Sequence, residues 1–309
     1  MIRVLMLDLG GTLIDADRRL FPHVSEALEI LRGFETEAFE PLRVCLVSDY
    51  YMPTPDRGVE DIFQEYVGLL ENLNLREFFE PVERHVTLST HAGVRKPERR
   101  VFELAVERLN PTEGANLDQC LFITESAEHA AAARLLGMKT LLFSETSGAA
   151  EADFSDWSEA PLLISQIVSA ESMNNLDAAL RLRLAVEYDS ELIFVSEKSA
   201  DGGAVHAQVN KSFALPLADS TGEESGHQSI AVLPVNVEIK MNEKGRITAV
   251  NSEEPDEESL AEAAHYIKTL NENKQVARGE EPLKPGETHR ETVNEKGEKR
   301  IKRKRFSAI

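Results

Sequence analysis

Residues 1–172 predict an α/β domain, a parallel sheet with helices on both faces, and residues 173–309 predict a smaller α+β domain. Three observations carry this. In the first part, short apolar runs without alternation recur, as expected of strands buried on both faces. Segments with helical apolar spacing separate them, which is the grammar of βαβ crossovers. Beyond about residue 172, runs with two-residue alternation and hairpin signals take over. The length of 309 residues also points to two domains, since one core rarely grows past about 250 residues.

The first strand is Ile2–Leu7, stopped by Gly10-Gly11. Val24–Leu31 has helical spacing, with Ser25 near its start and Gly33 past its end. A second strand spans Leu42–Val47, and a helix spans Ile62–Leu73. Val86–Leu88 is a short third strand. Pro97 opens the next helix, where its missing N–H costs nothing, and this helix runs to about Leu109. Cys120–Ile123 makes a fourth strand, Ala127–Leu136 an alanine-rich helix closed by Gly137, and Thr140–Phe143 a fifth strand. Leu162–Val168 is the last helix of this domain.

The second domain starts with a helix over Met173–Tyr188, followed by strands at Leu192–Ser196, Val205–Phe213 and Ser229–Met241. Asn242-Glu243-Lys244-Gly245 marks a hairpin into Arg246–Val250, and Glu257–Leu270 reads as a helix. Asp256 to Glu258 place negative charge at that helix's positive end. The polar stretch Asp219–Gln228 reads as a loop, and Asn294–Gly297 as a second hairpin turn.

Composition narrows the function classes. A formal net charge of −20 opposes general binding to nucleic acid or anionic membranes. No apolar run approaches the roughly 20 residues that span a bilayer, and the first residues carry no signal-peptide pattern. The two cysteines, Cys45 and Cys120, both fall in buried strands. They read as reduced core thiols of a cytoplasmic protein.

In an open parallel sheet, ligands bind beyond the carboxyl ends of the strands, near the point where strand order reverses. Asp8-Leu9-Gly10-Gly11-Thr12 follows strand one, Ser48-Asp49 follows strand two, and Lys96-Pro97 lies downstream of strand three. Thr124-Glu125-Ser126 follows strand four, with Glu128 and His129 close behind. A carboxylate, a hydroxyl, an ammonium and a second acid on one rim are the groups of metal-assisted phosphoryl transfer.

This order and spacing over roughly residues 1–170 resemble the haloacid dehalogenase (HAD) superfamily, in a capless or minimal-cap form. The alternative is an unrelated flavodoxin-like sheet with accidental polar rim residues. The resemblance implies Asp8 as nucleophile and Lys96 as its catalytic partner. It also implies that Ser48, Lys96, Gly11 and Thr12 hold the phosphoryl group, and that Asp8, the Gly10 carbonyl and Glu125 are ligands for Mg²⁺.

Two positions depart from the family pattern. Gly10 stands where HAD phosphatases carry a second Asp, the general acid, a group that typically supplies 10²- to 10⁴-fold, or roughly 3–5 kcal/mol. Glu125 replaces Asp, and one extra methylene moves the carboxylate enough to matter, since misplacement by about 1 Å can cost 10²-fold. Asp15, Asp17 and His23 are substitute proton donors by position, against a reading as solvated loop residues. Asp49 reads as a loop or capping residue. About 30 residues separate the first motif from strand two, too few for a cap domain. An open site suits a bulky or macromolecular substrate, or a docking role, and argues against dehalogenation because nothing excludes water.

The second domain carries no recognised catalytic motif. His206, His227, His265 and His289 lack metal-ligand spacing and read as surface or turn residues. Lys299 to Arg305 is a dense basic run. It reads either as the outer strand of a terminal hairpin or a tail facing the chain's own acidic surface, or as a contact for nucleic acid or an acidic partner. Two functions remain open. One is a Mg²⁺-dependent phosphatase or phosphotransferase, weakened but active on a phosphorylated small molecule or macromolecule. The other is an inactive HAD-like module that binds a protein partner through its C-terminal domain.

Overall fold

The structure, a computed structural model, describes residues 1–109, 116–146, 148–149, 151–199, 203–218, 224–279, 282–293 and 299–303. The chain divides into two compact units, Met1–Val186 with Glu243–Arg246, and Glu187–Asn242 with Ile247–Ile309.

The first unit is built on a five-stranded sheet of β1 (Val4–Leu7), β2 (Arg43–Ser48), β3 (Val86–Leu88), β4 (Cys120–Thr124) and β5 (Lys139–Leu142). All neighbours are parallel, in the order β3-β2-β1-β4-β5. Every residue of β1 is buried, because both faces are covered. Val4 and Met6 pack with Cys45, Val47, Phe102 and Phe122. The Phe102 and Phe122 rings meet edge-on at 5.1 Å, and truncating either to Ala costs about 3–5 kcal/mol.

The longer helices are α1 (Val24–Arg32), α2 (Val59–Asn72), α3 (Arg99–Leu109), α4 (Ala127–Leu135), α5 (Ala160–Ser169) and α6 (Met173–Tyr188), beside single helical turns at Val82–His85 and Ser89–Ala92. Each expected helix is present, with ends moved by two or three residues at most. Helix α1 begins at Val24, as expected, with His23 ahead of it in the capping position. Between β1 and β2 there is one helix and no cap domain. Helix α6 is tied down by Asn175, whose side chain exchanges two hydrogen bonds with the backbone of Glu35, at 2.7 and 3.0 Å. Cys45 and Cys120 are free, buried thiols, and burial pushes the Cys120 thiol up to about 12.

The second unit contains a seven-stranded sheet. Its strands are β6 (Glu191–Lys198), β7 (Ala204–Ala218), β8 (Glu224–Met241), β9 (Ile247–Ser252), β10 (Val276–Arg278), β11 (His289–Val293) and β12 (Lys299–Arg303). The order is β10-β11-β12-β8-β7-β6, with β9 also on β8. Helix α7 (Glu257–Glu272) is capped by Asp256, which accepts the Ser259 N–H at 2.7 Å. Its Ala263 and Ile267 pack on Leu215 and Ala231 of the sheet.

Three expectations need correction here. The loop expected over Asp219–Gln228 is shorter, because β8 starts at Glu224 and pairs with β7 from there. Backbone ladder bonds extend a long hairpin without needing apolar side chains. Residues 219–223 lie outside the described residues. The basic strand β12 is not an outer strand. It is antiparallel to β11 on one side and beside β8 on the other. Lys304, Arg305 and the turn at Asn294–Gly297 lie outside the described residues. His289 is buried, 7% exposed, near the Tyr266 hydroxyl at 3.4 Å. Among the described residues, no helix is long and apolar enough to cross a membrane.

Candidate active site

From β1 the chain adds β2 and β3 on one side, then returns to lay β4 on the other side of β1. The order reverses between β1 and β4, and a crevice opens at the carboxyl ends of those two strands. Asp8 is the first residue after β1, and Glu125 the first after β4.

Asp8 is 6% exposed and meets Lys96 Nζ at 2.5 Å through Oδ2. Its Oδ1 accepts the Leu9 N–H at 2.9 Å. Lys96 Nζ also donates to the Val47 carbonyl at 3.1 Å, so the end of β2 fixes the ammonium against Asp8. The Lys96 backbone N–H donates to Asp49 Oδ1 at 2.9 Å. Burial holds the Asp8 carboxyl above the ordinary range, Lys96 opposes that, and Glu125 adds to it.

Thr124 links the two acids. Its hydroxyl lies 3.2 Å from Asp8 Oδ2 and 3.2 Å from Glu125 Oε2, so its single hydrogen serves one at a time. Thr12 holds Glu125 reciprocally. Its hydroxyl donates to Oε2 at 2.7 Å and accepts the Glu125 N–H at 3.0 Å. The Thr12 carbonyl accepts the indole N–H of fully buried Trp157 at 2.8 Å. The Trp157 ring meets Phe154 edge-on at 5.3 Å and lies tilted 6.0 Å from Phe143. Gly11 has φ +69, and a Cβ there would lie 2.8 Å from Glu125 Cγ. The extra methylene of Glu125 is thus folded back over Gly11.

Ser48, 2% exposed, ends β2 and accepts the phenol hydrogen of Tyr66 at 2.7 Å. Gly10 is exposed, and a Cβ added there would meet nothing within 4 Å. Beside Gly11 and Glu125 runs an open groove of about 480 Å³, which Asp15, Phe21, Phe143 and Glu145 also line.

Asp15 accepts hydrogen bonds from the backbone N–H groups of Asp17 and Arg19 and from the Arg19 guanidinium. These bonds, the Arg19 backbone first, hold its carboxyl below the usual range. Such a group keeps its proton poorly and makes a poor general acid. Asp17 is ion-paired to Arg19 at 2.7 Å. His23 sits in left-handed backbone ahead of α1. Glu128 is exposed, and His129 is half-buried with an unpaired buried Nδ1. Neither bonds Asp8 or Glu125 among the described residues. No group of three or more His, Cys, Asp or Glu gathers to hold a metal among them either.

The structure therefore brings Asp8, Lys96, Thr12, Gly11 and Glu125 into contact, with Ser48 next to the carbonyl that holds Lys96. Tyr66 and Trp157 escape a reading of the sequence. Thr124 and Asp49 stand in it only as neighbours of Glu125 and Ser48, Asp49 as a loop or capping residue, and the fold adds their bonds to Asp8, Glu125 and Lys96.

No protein-family model matches this chain, and no curated protein matches it. Solved structures similar to it include a conserved haloacid dehalogenase-like protein of unknown function from Agrobacterium tumefaciens, at 13% identity and TM-score 0.36, covering 54% of this chain and 99% of that one. An L-2-haloacid dehalogenase from Xanthobacter autotrophicus matches at 17% identity and TM-score 0.34, covering 55% and 83%. A HAD family hydrolase from Deinococcus radiodurans, with bound phosphate and sodium, matches at 14% identity and TM-score 0.35, covering 60% and 95%. Nothing about activity follows from these likenesses.

Proposed function

We propose that the chain is a HAD-type phosphohydrolase or phosphotransferase that works through Asp8 on substrates with good leaving groups. One observation carries this reading: the buried 2.5 Å pair of Asp8 and Lys96 at the sheet's switch point. A buried ion pair costs desolvation and is weak support for stability. A carboxyl perturbed by burial beside a specific charge, in a crevice, is a candidate for function.

Asp8 Oδ1, which bonds only the Leu9 N–H among the described residues, attacks phosphorus. The bond from phosphorus to the leaving oxygen breaks, and an aspartyl phosphate forms. Water then attacks that phosphorus and frees the Asp8 carboxylate. Lys96 neutralises a phosphoryl oxygen as charge moves onto it, and Ser48 and the Gly11-Thr12 loop hold the others.

Asp8 and Glu125 share the Thr124 hydroxyl at the crevice, and their carboxylates, like the Gly10 carbonyl that the resemblance adds, are hard oxygens. This donor set fits Mg²⁺, which takes one or two carboxylates together with water and substrate phosphate. Asp8, Gly10 and Glu125 would hold the ion, which offsets charge on the transferring group.

The exposed glycine at position 10 supplies no proton to the leaving group, and Asp15 is held ionised. Substrates are therefore those whose leaving group departs as an anion, such as acyl and aryl phosphates. The test is turnover of acetyl phosphate and an aryl phosphate, with and without Mg²⁺, beside Asp8→Asn. Metal-dependent turnover lost in Asp8→Asn is expected. Equal inertness of the two proteins would sink the reading.

The same glycine supports a second reading, an inactive module that acts through the C-terminal unit on a protein partner. In that case Asp8→Asn would leave the cellular role intact.

A further inference from the structure

The mid-helix residue Tyr66 presents an unexplained polar contact. Helix α2 buries Ile62, Phe63, Tyr66, Val67 and Leu70 on one face, and a phenol in that row has the look of packing alone. Yet the Tyr66 hydroxyl is spent on one partner, Ser48 Oγ, at 2.7 Å, and both side chains are almost fully buried. The edge of the Tyr50 ring braces the Tyr66 ring at 5.0 Å. Tyr50 is itself anchored through its backbone N–H to Ser89 Oγ at 2.9 Å.

The direction of the bond follows from acidity. A phenol is a far stronger acid than an alkyl hydroxyl, so Tyr66 donates and Ser48 accepts. Burial, joined by the nearby Asp8 carboxylate, pushes the phenol up despite its bond to Ser48, so this donor stays protonated. Ser48 keeps its own hydrogen, and that hydrogen cannot lie along the Tyr66 direction. Among the described residues Ser48 donates it to no acceptor. Buried donors seek acceptors, and the residue before Ser48 holds Lys96 against Asp8.

We infer that Tyr66 is a positioning residue: by occupying a lone pair of Ser48, it aims the serine hydrogen at a phosphoryl oxygen held between Ser48 and Lys96. This deepens the phosphohydrolase reading and rests on it. Tyr66 touches no substrate and acts only through Ser48.

The test is binding of inorganic phosphate, in the presence of Mg²⁺, to the full chain and to Tyr66→Phe, Ser48→Ala and the double variant, with Tm recorded for each. Tyr66→Phe is expected to weaken phosphate about tenfold, and Ser48→Ala by at least as much, of the order of one hydrogen bond to a charged group. The double variant should be no worse than Ser48→Ala, because the tyrosine has nothing left to act through. A phenylalanine that merely loosened the core would lower Tm without this dependence on Ser48. Wild-type phosphate affinity in folded Tyr66→Phe, beside a weakened Ser48→Ala, would overturn the role of Tyr66 and leave the function standing. Losses that add in the double variant would overturn it too. Wild-type protein blind to phosphate would instead remove the reading beneath it. Should Tyr66→Phe fail to fold, 3-fluorotyrosine at position 66 of the otherwise unaltered chain gives an independent signal. Its fluorine resonance should shift on adding phosphate and stay fixed in Ser48→Ala; a resonance indifferent to phosphate in the Ser48 protein would overturn the proposal.

Discussion

Glu125 occupies the space that a side chain on residue 11 would need: a Cβ built on Gly11 lies 2.8 Å from Glu125 Cγ and 3.0 Å from its carboxyl carbon. The longer acid is accommodated because a glycine lies under it and Thr12 clasps its end. The long acid at position 125 and the glycine beneath it are therefore one arrangement. The backbone at Gly11, with φ +69, separately favours glycine.

Gly11→Ala is accordingly expected to lower stability by about 1–3 kcal/mol through left-handed strain and the clash together. Adding Glu125→Ala removes the clash and leaves the strain. The denaturant midpoint of the double variant should then exceed that of Gly11→Ala combined with an unrelated surface change. A fully additive pair would show that Glu125 does not press on residue 11.

Lys96→Met leaves Asp8 and Glu125 as carboxylates sharing Thr124 with no cation beside them. Breaking a buried pair this way costs about 3–5 kcal/mol near neutral pH. The sign of its pH dependence follows from Asp8, whose folded-state carboxyl is raised by burial. The native state holds that proton at pH values where the unfolded chain has lost it, so stability falls as pH rises through the folded value. Without Lys96 that value rises further. The cost of Lys96→Met should therefore be largest above it and shrink as pH falls into the carboxylate range. Urea melts at a series of pH values read this directly, and a cost independent of pH would contradict the geometry.

Much of this rim is legible in the sequence because each of its parts is local. A short apolar run followed at once by Asp8, Ser48 or Glu125 is a strand and its carboxyl end, whatever the rest of the chain does. Tyr66 is different: its place in the buried row of α2 is the same whether or not Ser48 lies opposite. Trp157 and Thr12 are far apart in the chain, and only the tertiary fold joins indole to carbonyl. In the second unit, alternation reveals β7 and β8, but strand order is a matter of distant pairing. Nothing local in Lys299–Arg303 says that β11 and β8 flank it. The three-residue β10 is too short to leave a pattern.

His91 predicts an acid weakness separate from the carboxylates. Its Nδ1 accepts the Leu88 N–H at 3.1 Å, and its ring meets Phe63 at 4.9 Å. Burial first, then the Arg108 charge, lowers it from 6.5 to about 4. Between those values the unfolded chain binds a proton that the native state refuses, so stability is lost as pH falls from about 6.5 to about 4. The slope stays below about 1.4 kcal/mol per pH unit for one proton. His91→Asn keeps an oxygen to accept the Leu88 N–H and cannot titrate. Its Tm should fall less steeply than the wild-type Tm across this window, and parallel curves would remove His91 from the account.

Position 10 offers the sharpest test of whether the rim is chemically competent. Gly10 is exposed, has open space where a Cβ would go, and does not lie in left-handed backbone. Gly10→Asp should therefore fold like the wild type. If Asp8, Lys96, Ser48 and Glu125 form a working site that lacks only a proton donor, the new carboxyl supplies it. Hydrolysis of alkyl phosphates, whose leaving groups need that proton, should rise by about 10²- to 10⁴-fold. Acetyl phosphate, whose leaving group departs unprotonated, should change little. The contrast between the substrates is diagnostic, because a general improvement in binding would raise both. A stable Gly10→Asp protein that gains nothing on either substrate would mean that the rim keeps the shape of a phosphatase without its reactivity, and the reading as a binding module would take its place.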